Sequence, residues 1–276
     1  METVAFYSYK GGVGCSQLLA HAAEFLVGLG KGVVALDLDF EAPGLHYKLP
    51  EFRPPGSPPF TGGAVPYLLA TADGAESAPP LGDHTISVPV FANANGWLRL
   101  MPAGPAPHRA YWAALKALGD KLRPADPSGR GFMAMLDLQA RIQDELKPDY
   151  LLIDARTGVT EIGSLATTIL ADTVVCMFVG NFEAFDGTLA VIEALKNAPR
   201  LTSQKPIRVV PILSREQKFD KYIADRARSV LREKGLTLFV LPHDQFATAE
   251  KAISEPLLIK YHELFQRLFE RSPENL

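Results

Sequence analysis

A glycine-rich loop between a predicted strand and a predicted helix constrains this chain more than any other feature. Residues 10–16 read Lys-Gly-Gly-Val-Gly-Cys-Ser. An apolar run from Val4 to Ser8 precedes the loop, and a helical pattern from Ser16 to Leu29 follows it. Glycines let the backbone turn its N–H groups toward an anion, and the start of a helix adds partial positive charge. The context favours a phosphate-binding loop, although the glycines alone also fit a tight strand-to-helix turn.

Short apolar runs alternate with helical stretches along the rest of the chain. This pattern is typical of buried parallel strands joined by helices, and it predicts an α/β, doubly wound, mostly parallel sheet flanked by helices. The later predicted strands are Val33–Leu36, Trp97–Met101, Tyr150–Ile153, Thr173–Val179, Ile207–Leu213 and Thr237–Leu241. The later predicted helices are Ala110–Leu122, Phe132–Leu146, Asp186–Leu195, Lys218–Glu233 and Pro256–Arg271.

One segment, from Pro50 to Pro66, interrupts the alternation with six prolines and several glycines. We expect no regular element there, because proline lacks the N–H that helices and sheets use. Such a stretch is either a functional loop or a solvated loop without a role. Since the sequence contains no internal repeat and no separate linker, we expect one domain over residues 1–276 with an insertion at about 50–66.

Composition excludes several classes of protein. Hydrophobic residues make up 47% of the 276 residues, which is ample for a core and unlike a disordered chain. The net charge of −3 argues against a polycation that coats nucleic acid. Two cysteines and no long apolar run predict neither a disulfide framework nor a membrane span, and the N-terminus has no signal-peptide pattern. We therefore expect a cytoplasmic protein.

The loop resembles the deviant Walker A motif of the MinD/ParA ATPases, which are SIMIBI-type P-loop NTPases. It is most similar to a subgroup whose loop ends Gly-Arg-Ser, and the resemblance extends through three further motifs. It implies ATP and Mg²⁺ as ligands, with Ser16 on the metal, as in other P-loops. The residues that would surround the phosphates are Lys10, Gly11, Gly12, Val13, Gly14, Cys15 and Ser16.

Cys15 departs from the family pattern, which places the general P-loop lysine at this position. A thiol cannot replace an ammonium group that neutralises the β- and γ-phosphates. The other signature lysine, Lys10, remains; in the family it contacts phosphates across an ATP-sandwich dimer and assists catalysis. Binding would then persist while hydrolysis weakens. Cys15 itself is either an inert filler or a thiol whose pKa is lowered by the helix start.

Asp37 and Asp39 follow an apolar strand and precede a Pro-Gly turn. Ligands of open parallel sheets bind at the carboxyl ends of strands, where two carboxylates suit an Mg²⁺ shell and an attacking water. The pattern also resembles the switch I motif of the family. That resemblance assigns the catalytic water and a place near the metal to Asp39, and loop structure or a metal-bound water to Asp37. Alternatively, both carboxylates only cap the following turn.

A second strand, Tyr150–Ile153, ends in Asp154 and has the form of a Walker B element. The sequence Asp154 to Gly158 resembles switch II. Asp154 would bind Mg²⁺ through water, and Gly158 would direct its N–H toward the γ-phosphate. Arg156 would either sense that phosphate or pair with a surface acid.

The resemblance places the adenine between the end of the strand Ile207–Leu213 and the later loop at 241–244. It assigns base recognition to Ser214, Arg215 and Pro242, whereas we expect His243 to be an ordinary loop residue. The sequence carries no motif resembling the Asn-Lys-x-Asp guanine reader, which favours ATP.

Two surfaces bear on partners. Residues 200–234 contain ten lysines and arginines against four acids. This segment is either a DNA-binding patch, as in some ParA proteins, or a solvated helix face. The last helix either touches a membrane, as in MinD, or packs on the sheet, which its broad apolar stripe favours.

The leading hypothesis is a MinD/ParA-like ATP-binding switch, a weak ATPase that forms a homodimer with Mg·ATP and controls an unknown protein partner. Because of Cys15, the first alternative is a non-hydrolysing nucleotide-binding adaptor. Analogy with the Gly-Arg-Ser subgroup places such an adaptor in a signalling or defence system. The other alternative is an ATP-dependent DNA-binding partition protein.

Overall fold

The structure is a computed structural model that describes residues 1–49, 60–72, 78–90, 94–105, 109–122, 130–155, 157–158, 161–198, 205–217, 220–248 and 253–270. Its strands are β1 (Glu2–Ser8), β2 (Gly32–Asp37), β3 (Ile86–Val88), β4 (Trp97–Met101), β5 (Tyr150–Asp154), β6 (Thr173–Phe178), β7 (Arg208–Glu216) and β8 (Phe239–Pro242). Its longer helices are α1 (Cys15–Gly28), α3 (Ala64–Ala72), α5 (Arg109–Leu122), α6 (Arg130–Arg141), α8 (Phe182–Lys196), α9 (Lys221–Glu233) and α11 (Glu255–Phe265). The described residues also form four short helices: α2 (Leu45–Lys48), α4 (Leu81–His84), α7 (Glu161–Ser164) and α10 (Gln245–Thr248).

Within these ranges the strands form one sheet in the order β3-β4-β2-β5-β1-β6-β7-β8. Every neighbouring pair is parallel except β3 with β4, at one edge. Single π-helical turns extend α6, α7 and α11. The predicted doubly wound, mostly parallel α/β fold is confirmed.

Alternating side chains of the central strands enter two hydrophobic cores, one on each face of the sheet. Ala5 and Tyr7 of β1 pack with α5, α6, α8 and α9, whereas Val4 and Phe6 pack with α1 and α11. Burial on both faces explains why these strands are continuous apolar runs in the sequence.

The last helix packs on the sheet, as its apolar stripe predicted. Leu257, Tyr261, Leu264 and Phe265 are buried in the same core as α1. Among the described residues, no helix is long and apolar enough to cross a membrane.

The predicted irregular segment is too long at its C-terminal end. Residues 50–59 lie outside the described part of the chain, but Ala64–Ala72 forms α3, with Pro66 in its first turn. Proline is tolerated there because an N–H in the first turn has no partner within the helix. The N–H groups of Ala64 and Val65 instead donate to Pro102 and Ala103 at 2.8 and 2.9 Å, so the start of α3 is tied to the chain after β4.

Candidate functional site

The glycine loop turns sharply between β1 and α1. Gly12 and Gly14 have φ values of 77° and 101°, in the left-handed region that favours glycine. Within the described part of the chain, no side chain caps the start of α1. The first residues of this helix line a cleft, and N–H groups at a helix start without a side-chain acceptor are the arrangement expected for an anion site.

A cleft of about 350 Å³ opens at the carboxyl edge of the sheet, next to this loop. It brings together most of the residues that the sequence predicted to bind phosphate and metal. Its lining consists of Ser8, Gly11, Gly12, Val13, Gly14, Cys15, Ser16, Gln17, Asp39, Ala42, Lys48, Asp154, Ala155, Thr157, Arg215 and Ala247.

Asp37 anchors the loop that follows β2. Its buried carboxylate accepts hydrogen bonds from the backbone N–H groups of Asp39, at 3.1 Å, and Leu45, at 3.2 Å. Burial raises the pKa of Asp37 well above its ordinary value, and the charge of Asp154 adds to the shift. Asp37 therefore holds the backbone that presents Asp39 to the cleft.

Asp154 lies beside Asp37, because β2 and β5 pair with these two residues in register. Burial, together with the charge of Asp39, raises the pKa of Asp154 to about 7, although a hydrogen bond with the Ser16 side chain opposes the rise. The folded chain thus concentrates carboxylates in a site where a cation would offset their repulsion.

The donor set fits Mg²⁺ bound together with phosphate oxygens and water. Ser16, Asp39 and Asp154 offer hard oxygen atoms at one cleft, as this cation prefers. Among the described residues, no group of three or more His, Cys, Asp or Glu side chains is arranged to hold a metal alone. Phosphate and water would have to complete the coordination.

Cys15 is 8% exposed and packs in the core that contains Leu18 and Leu19. Burial raises the pKa of its thiol, and the charge of Asp154 raises it further. The structure therefore contradicts a lowered thiol pKa and supports an inert filler.

Lys10 does not line the cleft. Its ammonium group forms an ion pair with Glu183 of α8, at 2.5 Å between Nζ and Oε1, and this hydrogen bond raises the pKa of Lys10. The side chain of Lys10 is 44% exposed. The signature lysine thus lies on the surface beside α8 in this structure.

Switch II is described only in part, because Arg156 lies outside the described residues. Gly158 adopts a φ of 78°, and its N–H donates to the Ser8 carbonyl at 3.1 Å. Its N–H is therefore engaged within the chain, and Gly158 does not line the cleft. Thr157 does line it, although the sequence analysis assigned it no role.

The three residues that were predicted to recognise the base do not line one common cavity. The buried Ser214 hydroxyl donates to the Val13 carbonyl at 2.6 Å, which ties the end of β7 to the glycine loop. Arg215 lines the cleft. Pro242 instead lines a different cavity of about 400 Å³, with Glu216 and Phe239. His243 is exposed, as expected of a loop residue.

Lys48 is a second cation at the cleft that sequence reasoning missed. It ends α2, and the bond from Leu45 to Asp37 fixes the start of that helix. The signal was a basic residue shortly after the Pro-Gly turn, but only the fold shows that this turn returns the chain to the phosphate loop.

Comparison with solved structures identifies the architecture. MinD of Pyrococcus horikoshii, in complex with Mg-ADP, superposes with a TM-score of 0.69 at 17% identity, covering 98% of this chain and 96% of that one. A variant of McdA from Cyanothece, in complex with ATP, gives a TM-score of 0.62 at 18% identity, with 100% and 99% coverage. The chain has the MinD/ParA ATPase fold. The structure of pNOB8 ParA bound to nonspecific DNA matches over 84% of this chain and 75% of its own, with a TM-score of 0.54 at 18% identity.

No family model matches the chain, and no curated protein does. The likeness is therefore one of fold, and what these ATPases bind is a guide to experiments on this protein.

Proposed function

We propose that this protein is a MinD/ParA-like molecular switch that binds ATP with Mg²⁺. The observation that carries the proposal is the cleft in which the glycine loop, Ser16, Asp39 and Asp154 meet at the carboxyl edge of the sheet. Loop N–H groups at the start of α1 would bind the phosphates. Mg²⁺, when bound, would neutralise phosphate charge, held by Ser16 and through water by Asp154.

Hydrolysis would depend on Asp39. The bond from its own N–H to Asp37 holds Asp39 at the cleft, where its carboxylate can orient a water for attack. Cys15 leaves the P-loop without its general lysine, so we expect slow turnover.

ATP would favour a homodimer, and hydrolysis would release it. A terminal phosphate that contacts the dimer better than the monomer shifts the equilibrium by its difference in affinity for the two states. Lys10 lies on the surface, where it can reach a second copy once it leaves Glu183. The dimer would then act on a protein partner in the cytoplasm.

The test is the mass of the particle in solution with Mg·ATP, with Mg·ADP and without nucleotide, by gel filtration with light scattering. We expect a dimer with ATP and a monomer in the other two conditions. Ser16→Ala should abolish the shift, whereas Ser229→Ala, in an exposed position of α9, should retain it. An ATP-independent mass would overturn the dimer switch.

The adaptor hypothesis is supported by the buried Cys15 and by the engagement of Lys10 with Glu183. In that case ATP occupancy alone would shape a partner surface. Cys15→Lys discriminates between the two functions. A large gain in turnover would indicate an intact but disabled site, and no gain would indicate that other groups already supply the charge.

DNA binding has weaker support. On the basic helix α9, Arg226 pairs with Asp186, Arg228 pairs with Asp225, and the following Lys234 pairs with Glu193. Paired charges attract DNA less than free ones do. A ParA-like role would require ATP-dependent DNA binding that weakens steeply with salt.

A further inference from the structure

The two lysines that contact phosphates in the family pattern supply no positive charge to this cleft. Cys15 supplies no cation, and Lys10 is engaged outside the cleft. The acidic residues that line the cleft are Asp39 and Asp154, and the basic ones are Lys48 and Arg215. A bound triphosphate adds several negative charges, so cations beside it matter for affinity.

Arg215 has an unusual backbone. Its φ is 57°, in the left-handed region that is unfavourable for a non-glycine residue. The pairing of β7 with β8 shifts register between Leu213 and Glu216, so this residue lies in a bulge. A bulge changes the direction in which a side chain points. Strained backbone conformations are common at residues that take part in binding or catalysis.

The neighbouring residue fixes the bulge against the glycine loop. The bond from Ser214 to the Val13 carbonyl is short, at 2.6 Å, and buried. It ties the end of β7 to the phosphate loop, and Arg215, the next residue along the chain, lines the same cleft as that loop.

Arg215 is partly buried as a residue, and its side chain makes no ion pair or hydrogen bond within the described part of the chain. Guanidinium binds phosphate with paired, directional hydrogen bonds. Lys48 differs, because it has another partner and also lines a second cavity with Glu24 and Val27.

We propose that Arg215 binds the phosphate chain of the nucleotide and takes over the charge that Cys15 does not provide. The inference rests on the proposed nucleotide site and deepens it. It also moves Arg215 from the base, where family resemblance placed it, to the phosphates.

The experiment measures the affinity of the full chain for Mg·ATP and for Mg·tripolyphosphate, which has phosphates but no base, by calorimetry. Arg215→Gly removes the guanidinium and suits the left-handed backbone, so it should fold. We expect both affinities to fall at least about tenfold. Arg215→Lys should restore part of the loss, and Arg232→Ala, at an exposed position of α9 that does not line the cleft, should match the wild type.

Three outcomes would overturn the inference. If Arg215→Gly weakens ATP but leaves tripolyphosphate unchanged, Arg215 reads the base. If neither affinity changes, it has no role in binding. If the wild type binds neither probe, the proposed function itself fails and the inference fails with it.

Discussion

Burial determines the chemistry of the side chains at the cleft. Cys15 is a core residue whose thiol stays protonated, whereas Asp37 and Asp154 are carboxyl groups held close together beneath the phosphate loop. Such a site is poorly stable without a cation, because two buried like charges repel each other. Binding of Mg²⁺ and phosphate to these residues would stabilise the folded chain.

The first prediction concerns Asp154 and pH. Its folded pKa of about 7 lies above the ordinary 3.8, so at Asp154 the unfolded chain binds fewer protons between these values, and the contribution of this residue to stability falls as pH rises from about 4 to 7. Asp154→Asn should flatten this fall and raise the free energy of unfolding near neutral pH by a few kcal/mol, on the order that such a shift implies. Urea denaturation in EDTA without nucleotide measures it. Asp186→Asn, an exposed control, should keep the wild-type slope. A slope in Asp154→Asn equal to that of the wild type would contradict the prediction.

The second prediction concerns Asp39. Asp39→Ala should lower ATP turnover by about 100-fold, because the water loses its orienting carboxylate. ATP affinity should stay within a few-fold of the wild type. Single-turnover kinetics and equilibrium binding separate the two effects. Loss of binding would show that the role assigned to Asp39 is wrong.

Local sequence identified the loop and the carboxylates because each follows a buried strand, and the fold aligns the ends of those strands. The position of Arg215 depends on a bulge and on a contact between Ser214 and Val13, which are 201 residues apart. Pro242 was predicted to contact the base, and it lines another cavity. Its position also depends on how distant segments pack, which the local sequence does not show. The predicted roles of the site residues stay predictions.

Several helices and strands were predicted with the right type, but their observed first and last residues differ from the predicted ones because of local contacts. Helix α8 begins at Phe182 rather than Asp186, because Asn181 caps it by accepting a hydrogen bond from the Ala184 N–H at 2.8 Å. Strand β7 continues past Leu213 through its bulge. The edge strand β3 was missed, since three residues with partial burial give little pattern.

The third prediction follows from this cap. Asn181→Ala should lower the free energy of unfolding by about 1 kcal/mol, since the first turn of α8 loses an acceptor. Asn197→Ala, at the other end of the helix, is the matched control and should cost less. Chemical denaturation of both variants compares them. Equal losses would mean that the cap adds nothing specific.

In the whole molecule, the phosphate loop and α8 meet at the surface through Lys10 and Glu183. Because this ion pair is exposed, little free energy opposes its opening. In the proposed dimer, the loop would exchange this contact within one chain for a contact with a second copy. The organisation of the chain as one domain, with an insertion at about 50–66, stays a prediction.

The fourth prediction tests that exchange. Glu183→Gln removes the competing carboxylate, so the dimerisation constant with Mg·ATP should increase up to about fivefold. Analytical ultracentrifugation across a concentration series measures it, with Glu193→Gln on the same helix as the control. A weaker dimer would show that Glu183 supports assembly instead of competing with it.

The most direct measurement is the identity of the nucleotide bound to the protein after mixing with Mg·ATP. The bound fraction is denatured and chromatographed at intervals over an hour. An ATP-binding switch predicts that ATP is recovered at first and is converted to ADP slowly, but faster than in buffer. ATP that stays intact would identify the adaptor, and recovery of no nucleotide would contradict the assignment of this cleft as a nucleotide site.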